Sequence, residues 1–140
     1  MRYLLIVIFT GLLSCSSPIR ETYWDGVISQ DDNFGISDSY TGKLHLNIED
    51  EEVRGETYFA ITSDTSIYLL CSVEGKIEND TIYLRETGII SAATIKGEWY
   101  TKDIRLFHPE GRNDSLSGFW VAHKNPDATG SCNYSVGSAW

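Results

Sequence analysis

Side chains able to do acid–base or metal chemistry are few and scattered along this sequence. His45, His108 and His123 are the only histidines, and none stands three or four residues from another or from a cysteine, as metal-ligand spacing requires. No Gly-x-Ser-x-Gly elbow, His-Glu-x-x-His pair or phosphate-binding glycine loop occurs. A nucleophile relay could still be assembled from distant residues, because such triads are defined by geometry and not by order in the chain. Asp31-Asp32-Asn33-Phe34-Gly35-Ile36-Ser37-Asp38 gathers oxygen ligands around a glycine. Gly35 is fifth from Asp31, however, where a calcium loop places it sixth, and no glutamate follows at the twelfth place. The segment reads as a solvated acidic loop. No residue is assigned a catalytic or metal-binding role, no cofactor is expected, and the chain reads as a non-enzyme.

The other residues with functional chemistry are aromatic. Trp24, Trp99, Trp120 and Trp140 accompany eight tyrosines, and such rings either fill the core of a small β-protein or wall a ligand cavity. Trp99 and Trp120 each follow a glycine by two residues, Gly97 and Gly118. Each therefore shares a strand face with that glycine. Trp99, Trp120 and Tyr58 are the residues expected to meet a ligand, the competing reading being plain core filling.

The elements that must position them read as strands and turns, with no helical stripe. Lys43-Leu44-His45-Leu46-Asn47-Ile48-Glu49 alternates strictly, as do Thr81-Ile82-Tyr83-Leu84-Arg85 and Asp103-Ile104-Arg105-Leu106. This predicts Leu44, Leu46, Ile48, Ile82, Leu84, Ile104 and Leu106 inside and His45 outside. Polar turn clusters separate the runs, too closely for parallel crossovers. Apolar-polar-glycine recurs in Val53-Arg54-Gly55, Val73-Glu74-Gly75, Ile95-Lys96-Gly97 and Leu116-Ser117-Gly118, with Tyr40-Thr41-Gly42 close to it. Glycine inside a strand marks a bend, a bulge or a close backbone approach. Gly75 and Gly97 each precede an alternating triplet by seven residues, which predicts two equal hairpins 22 residues apart. Candidate strands fall near 22–29, 40–49, 52–61, 67–77, 80–86, 94–101, 103–108, 115–123 and 133–140. The fold class is all-β, a single antiparallel up-and-down barrel of about eight strands, since closure removes exposed edges. A β-sandwich is the alternative.

Val53-Arg54-Gly55-Glu56-Thr57-Tyr58, Ile95-Lys96-Gly97-Glu98-Trp99-Tyr100 and Gly118-Phe119-Trp120-Val121-Ala122-His123-Lys124-Asn125 resemble the strands of small avidin-type and lipocalin-type barrels. The resemblance covers most of residues 22–140 and implies an eight-stranded barrel with room for an interior cavity. It does not extend to the dispersed residue set with which avidins hold biotin.

At the N-terminus, Arg2 precedes an apolar run from Tyr3 to Leu13 that falls short of the roughly 20 residues needed to span a bilayer. Leu12-Leu13-Ser14-Cys15 resembles the lipobox of bacterial lipoproteins. That resemblance implies removal of residues 1–14 as a signal peptide, lipidation of Cys15, a lipidated tether at 15–21 and a barrel domain at 22–140. Ser16 in place of the retaining aspartate implies the outer membrane. The lack of an acidic run after Cys15 implies a domain facing the periplasm, joined to the membrane through its lipid anchor. With Cys15 assigned to lipid, Cys71 and Cys132 form an even pair in a compartment that permits disulfides, and a bridge is expected. Closing a loop of about 60 residues would stabilise the fold by roughly 4 kcal/mol. The alternative is a buried free Cys71 with Cys132 in a polar tail.

The formal charge is −9, from 20 acidic and 11 basic residues, and loss of Arg2 with the signal moves it to −10. This disfavours nucleic acid and anionic lipid as partners. The expected role is non-catalytic binding of a small apolar ligand in the barrel. The alternative is a protein-interaction module, such as a periplasmic inhibitor or assembly factor, whose partner would be a basic protein.

Overall fold

The alternating segments pair in sequence order and close on themselves. A computed structural model describes residues 18–31, 39–93, 99–109 and 111–140. Eight strands, β1 (Arg20–Gln30), β2 (Ser39–Glu49), β3 (Glu52–Ile61), β4 (Asp64–Glu78), β5 (Thr81–Ala93), β6 (Lys102–Phe107), β7 (Ser115–Ala122) and β8 (Thr129–Val136), form one closed antiparallel barrel. Closure is made by β1 against β8, from Trp24 opposite Val136 to Gln30 opposite Gly130. The up-and-down barrel expected from the sequence is the fold, and the sandwich is not.

Leu44, Leu46, Ile48, Ile82, Leu84, Ile104 and Leu106 are all buried inside, joined by Ile28, Val53, Leu69, Val73 and Leu116. The outer wall carries Lys43, His45, Arg54, Glu56, Glu74, Arg85 and Asp103 on the alternate positions of the same strands. Apolar inside and charged outside is the reverse of a barrel that meets lipid with its wall. No helix among the described residues is long and apolar enough to cross a membrane.

The repeated glycines mark close approaches between strands. Gly55, Gly75 and Gly118 stand opposite Leu46, Leu84 and Leu106 respectively. A Cβ on any of them would overlap a backbone carbonyl oxygen of the facing strand, that of His45, Tyr83 or Arg105. Only hydrogen fits there, so the neighbouring chains coil tightly around a narrow cylinder. Gly97, the fourth glycine of the phrase, lies outside the described residues.

Two expectations about strands need correction. The candidate strand at 94–101 is not seen in its described part, since residues 99–101 belong to no strand, and both edges of β6 are taken by β5 and β7, which leaves none for the second of the two equal hairpins. Instead β5 runs on to Ala93, because register shifts against β4 at Leu70/Cys71 and at Ser72/Val73 insert extra residues into it. Each bulge switches the face on which the next side chain lies, which breaks the period-two signal by which a strand is read.

The chain enters β1 at one end of the barrel, together with the tight Asp50-Glu51 and Asn79-Asp80 turns. Asn79 and Asp80 both have positive φ, 48° and 62°. That makes the β4–β5 connection a two-residue hairpin of the type that matches strand twist. At the opposite end lie the longer connections β1–β2, β5–β6 and β7–β8.

Candidate functional site

The barrel is hollow at the end opposite the start of β1. Ile28 and Gln30 near the end of β1, Tyr40 at the start of β2, Phe59 near the end of β3, Trp120 and Ala122 at the end of β7 and Lys102 at the start of β6 surround a cavity of about 230 Å³. Trp99, Tyr100, Asn125 and Ala128 from the adjoining connections complete its wall. A second depression, at the end where β1 begins, is lined by Trp24, Ile48, Ile82 and His108, and the remaining ones run over the outer wall and the β2–β3 turn.

Trp99 and Trp120, singled out by sequence, thus come together at one cavity. Their indole N–H groups are both spent on backbone carbonyls, Trp99 Nε1 donating to Ala93 at 3.0 Å and Trp120 Nε1 to Ser29 at 3.3 Å. Trp99 also meets the edge of Tyr40, with ring centroids 6.3 Å apart. The rings are held in place and present carbon to the cavity. Tyr58 does not join them. It sits on the outer wall, stacked on Tyr68 and close to Trp140, while its neighbour Phe59 faces inward.

Beneath the aromatic wall lies an ion pair that the sequence reading did not assign. Glu86 and Lys102 are 2 % and 5 % exposed, and Lys102 Nζ is 3.2 Å from Glu86 Oε2. The carboxylate also accepts the Thr57 hydroxyl at 2.6 Å and the backbone N–H of Lys102 at 2.8 Å. Lys102 Nζ donates to the Tyr100 carbonyl at 3.1 Å and rests 4.0 Å from the centre of the Phe59 ring. Removing two charges from water costs several kcal/mol each, and only a well-partnered pair offsets that cost. Both residues continue runs that were legible: Ile82, Leu84 and Glu86 fall on one face, as do Lys102, Ile104 and Leu106. Carrying each alternation one step further would have found opposite charges on adjacent strands.

The Cys71–Cys132 bridge is not formed, which corrects the expectation of a disulfide. Both thiols are free and buried. Cys71 is on β4 and Cys132 on β8, four strands apart in either direction around the closed barrel. Strands facing each other across a cylinder stand further apart than the roughly 7 Å between Cα atoms that a bridge tolerates. Burial, with the nearby Glu86 charge, pushes the Cys71 thiol up to about 12, and burial alone takes Cys132 to about 12. Burial also raises Tyr134 well above the ordinary range, and its hydroxyl has no hydrogen-bond partner among the described residues.

A measurable consequence follows. In the unfolded chain both thiols ionise near their ordinary 9.0, whereas the folded protein keeps them protonated to about 12. The unfolded state then binds fewer protons between those values, so stability falls as pH rises through that window and is unaffected below it. Urea melts at pH 8.0 and at higher pH are expected to show this decline, and Cys132→Ala to lessen it. Dithiothreitol should leave the melting temperature unchanged, and a shift of several degrees would restore the bridge.

The histidines stay on the outside. His45 stacks on Tyr23 and bonds Glu21 at 2.7 Å. His123 links Thr101 and Asp103, each at 2.9 Å, and Arg85 grips the same carboxylate through two bonds. The chain of Thr101, His123 and Asp103 lies on the solvent-facing wall, where such pairs contribute about 1 kcal/mol or less. Among the described residues no group of three or more His, Cys, Asp or Glu could hold a metal ion. Cys15 and most of the Asp31–Asp38 loop lie outside the described residues. No family model matches the sequence, and neither does any curated protein.

Proposed function

We propose that this chain is a lipid-anchored binding protein of the bacterial outer membrane, facing the periplasm, that holds a small molecule in the barrel-end cavity without changing it. The observation that carries the reading is the cavity itself, about 230 Å³ walled by Tyr40, Phe59, Trp99, Tyr100 and Trp120, smaller than the roughly 300 Å³ expected of a ligand carrier and so suited only to a very small molecule. Ligand sites are concave, with apolar walls and a few polar groups that fix orientation, and here Gln30, Lys102 and Asn125 stand among the aromatic rings. The lipobox-like Leu12-Leu13-Ser14-Cys15 supports the anchor.

Native mass spectrometry of protein purified from its own cells is expected to show a low-mass species retained by the folded chain. Trp99→Ala, which removes a half-buried wall ring, should reduce that species about tenfold and leave the circular dichroism spectrum unchanged. A ligand-free spectrum from freshly purified protein, or a co-purifying protein in place of a small molecule, would overturn the reading, the latter in favour of an interaction module.

A further inference from the structure

Two polar side chains at the cavity wall, Lys102 and Gln30, share a chemical bias, while Asn125 beside them brings both a donor and an acceptor. Lys102 carries three N–H donors on Nζ. Two have oxygen partners, the Tyr100 carbonyl at 3.1 Å and Glu86 Oε2 at 3.2 Å, and the third is left with the face of Phe59. A π face is a weaker partner for an ammonium than a carbonyl oxygen. Gln30 is biased the same way: its Oε1 accepts the Tyr40 hydroxyl at 3.0 Å, so its remaining polar side-chain atom is the donor Nε2. Lys102 and Gln30 therefore offer donors to an acceptor on the ligand, and Asn125 can serve either role.

Charge decides what kind of acceptor. Glu86 already balances Lys102 within the barrel. A ligand carboxylate would lose its hydration and gain the field of a pair rather than of a lone cation. A neutral carbonyl loses much less hydration and gains a charge-assisted hydrogen bond. Size sets the remainder: a dry cavity of about 150 Å³ admits benzene, so about 230 Å³ admits one ring and a small head group.

We infer that the cavity selects a neutral, single-ring molecule bearing an amide or ketone carbonyl, and that Lys102 is the residue that recognises it. This rests on the small-ligand reading above. The test is calorimetric titration of the full chain with benzamide, benzoate and toluene, which differ in head group and share a ring. Benzamide is expected to bind at least about tenfold more tightly than either of the others. In the double variant Glu86→Gln/Lys102→Met, which removes both charges and keeps an acceptor for Thr57, benzamide should fall to the toluene level while toluene itself changes little. Equal affinities for all three on the wild type, a preference for benzoate, or a double variant that keeps the benzamide preference would each overturn the inference. The wild-type comparison stands without any variant. Failure of all three probes to bind would overturn the small-ligand reading itself, whereas toluene binding as well as benzamide would overturn only the assignment to Lys102.

Discussion

Gly75→Ala and Gly118→Ala are each expected to lower the melting temperature by about 10 °C or more, corresponding to roughly 3 kcal/mol for a domain of this size. The added methyl would overlap the carbonyl oxygen of Tyr83 or Arg105 and lie 2.9 Å or 2.8 Å from its carbon, with the Cα of Leu84 or Leu106 at 3.1 Å. All three atoms are backbone in a facing strand. Relief therefore requires separating two ladder-bonded strands rather than turning a side chain. Gly88→Ala is the control, because its nearest atom would be the flexible Ser72 Oγ at 3.4 Å. That variant should change stability by less than about 1 kcal/mol. Thermal melts followed by circular dichroism decide the matter: if the Gly75 and Gly88 variants melt together, the close-approach account of the repeat is wrong.

Lys102→Met is expected to cost about 3–5 kcal/mol, because it leaves the Glu86 carboxylate buried without its counter-charge. The flexible thioether would occupy much the same volume, so lost packing contributes little. Glu86→Gln added to it should recover most of the loss, since the amide keeps an acceptor for Thr57 or for the Lys102 backbone N–H, and no charge remains in the barrel. Urea unfolding followed by tryptophan emission measures both. A single variant as stable as the wild type would mean that Glu86 finds water or another donor in place of Lys102, and the account of the ion pair as a required partnership would have to be abandoned.

The barrel was legible wherever a strand keeps strict alternation and a turn follows at once. Leu44, Leu46 and Ile48 on β2 and Ile104 and Leu106 on β6 needed no more than period two to be placed inside. Legibility failed where register shifts. The extra residues in β5 put Ile89 and Ile90 side by side on the outer surface, both about half exposed, and a reader following alternation stops at Arg85. The site was half legible. Trp120, two residues after Gly118 on β7, does reach the cavity, and Trp99 reaches it from a connection rather than a strand, but Tyr58 follows inward-facing Thr57 and must face out, a parity that composition alone hides. Glu86 and Lys102 were passed over because charge is habitually placed outside, although their positions in the alternation placed them within. The cysteines were misassigned for a different reason: an even count in an oxidising compartment describes opportunity, and a rigid cylinder between the two thiols removes it.

The chain enters β1 at one end of the barrel, and the aromatic-walled cavity lies at the other. Eleven residues of β1, at about 3.3 Å each and tilted by about 40°, place the two ends roughly 28 Å apart along the barrel axis. A lipid on Cys15 would be at most about 17 Å of chain from Arg20. If Cys15 carries the lipid proposed above, a barrel standing on this short stem would hold its cavity end away from the bilayer, like the mouth of a cup. Cargo would arrive dissolved rather than be lifted from the leaflet beneath. In that posture a second surface or a neighbouring molecule would meet the rim face to face sooner than the parent membrane would.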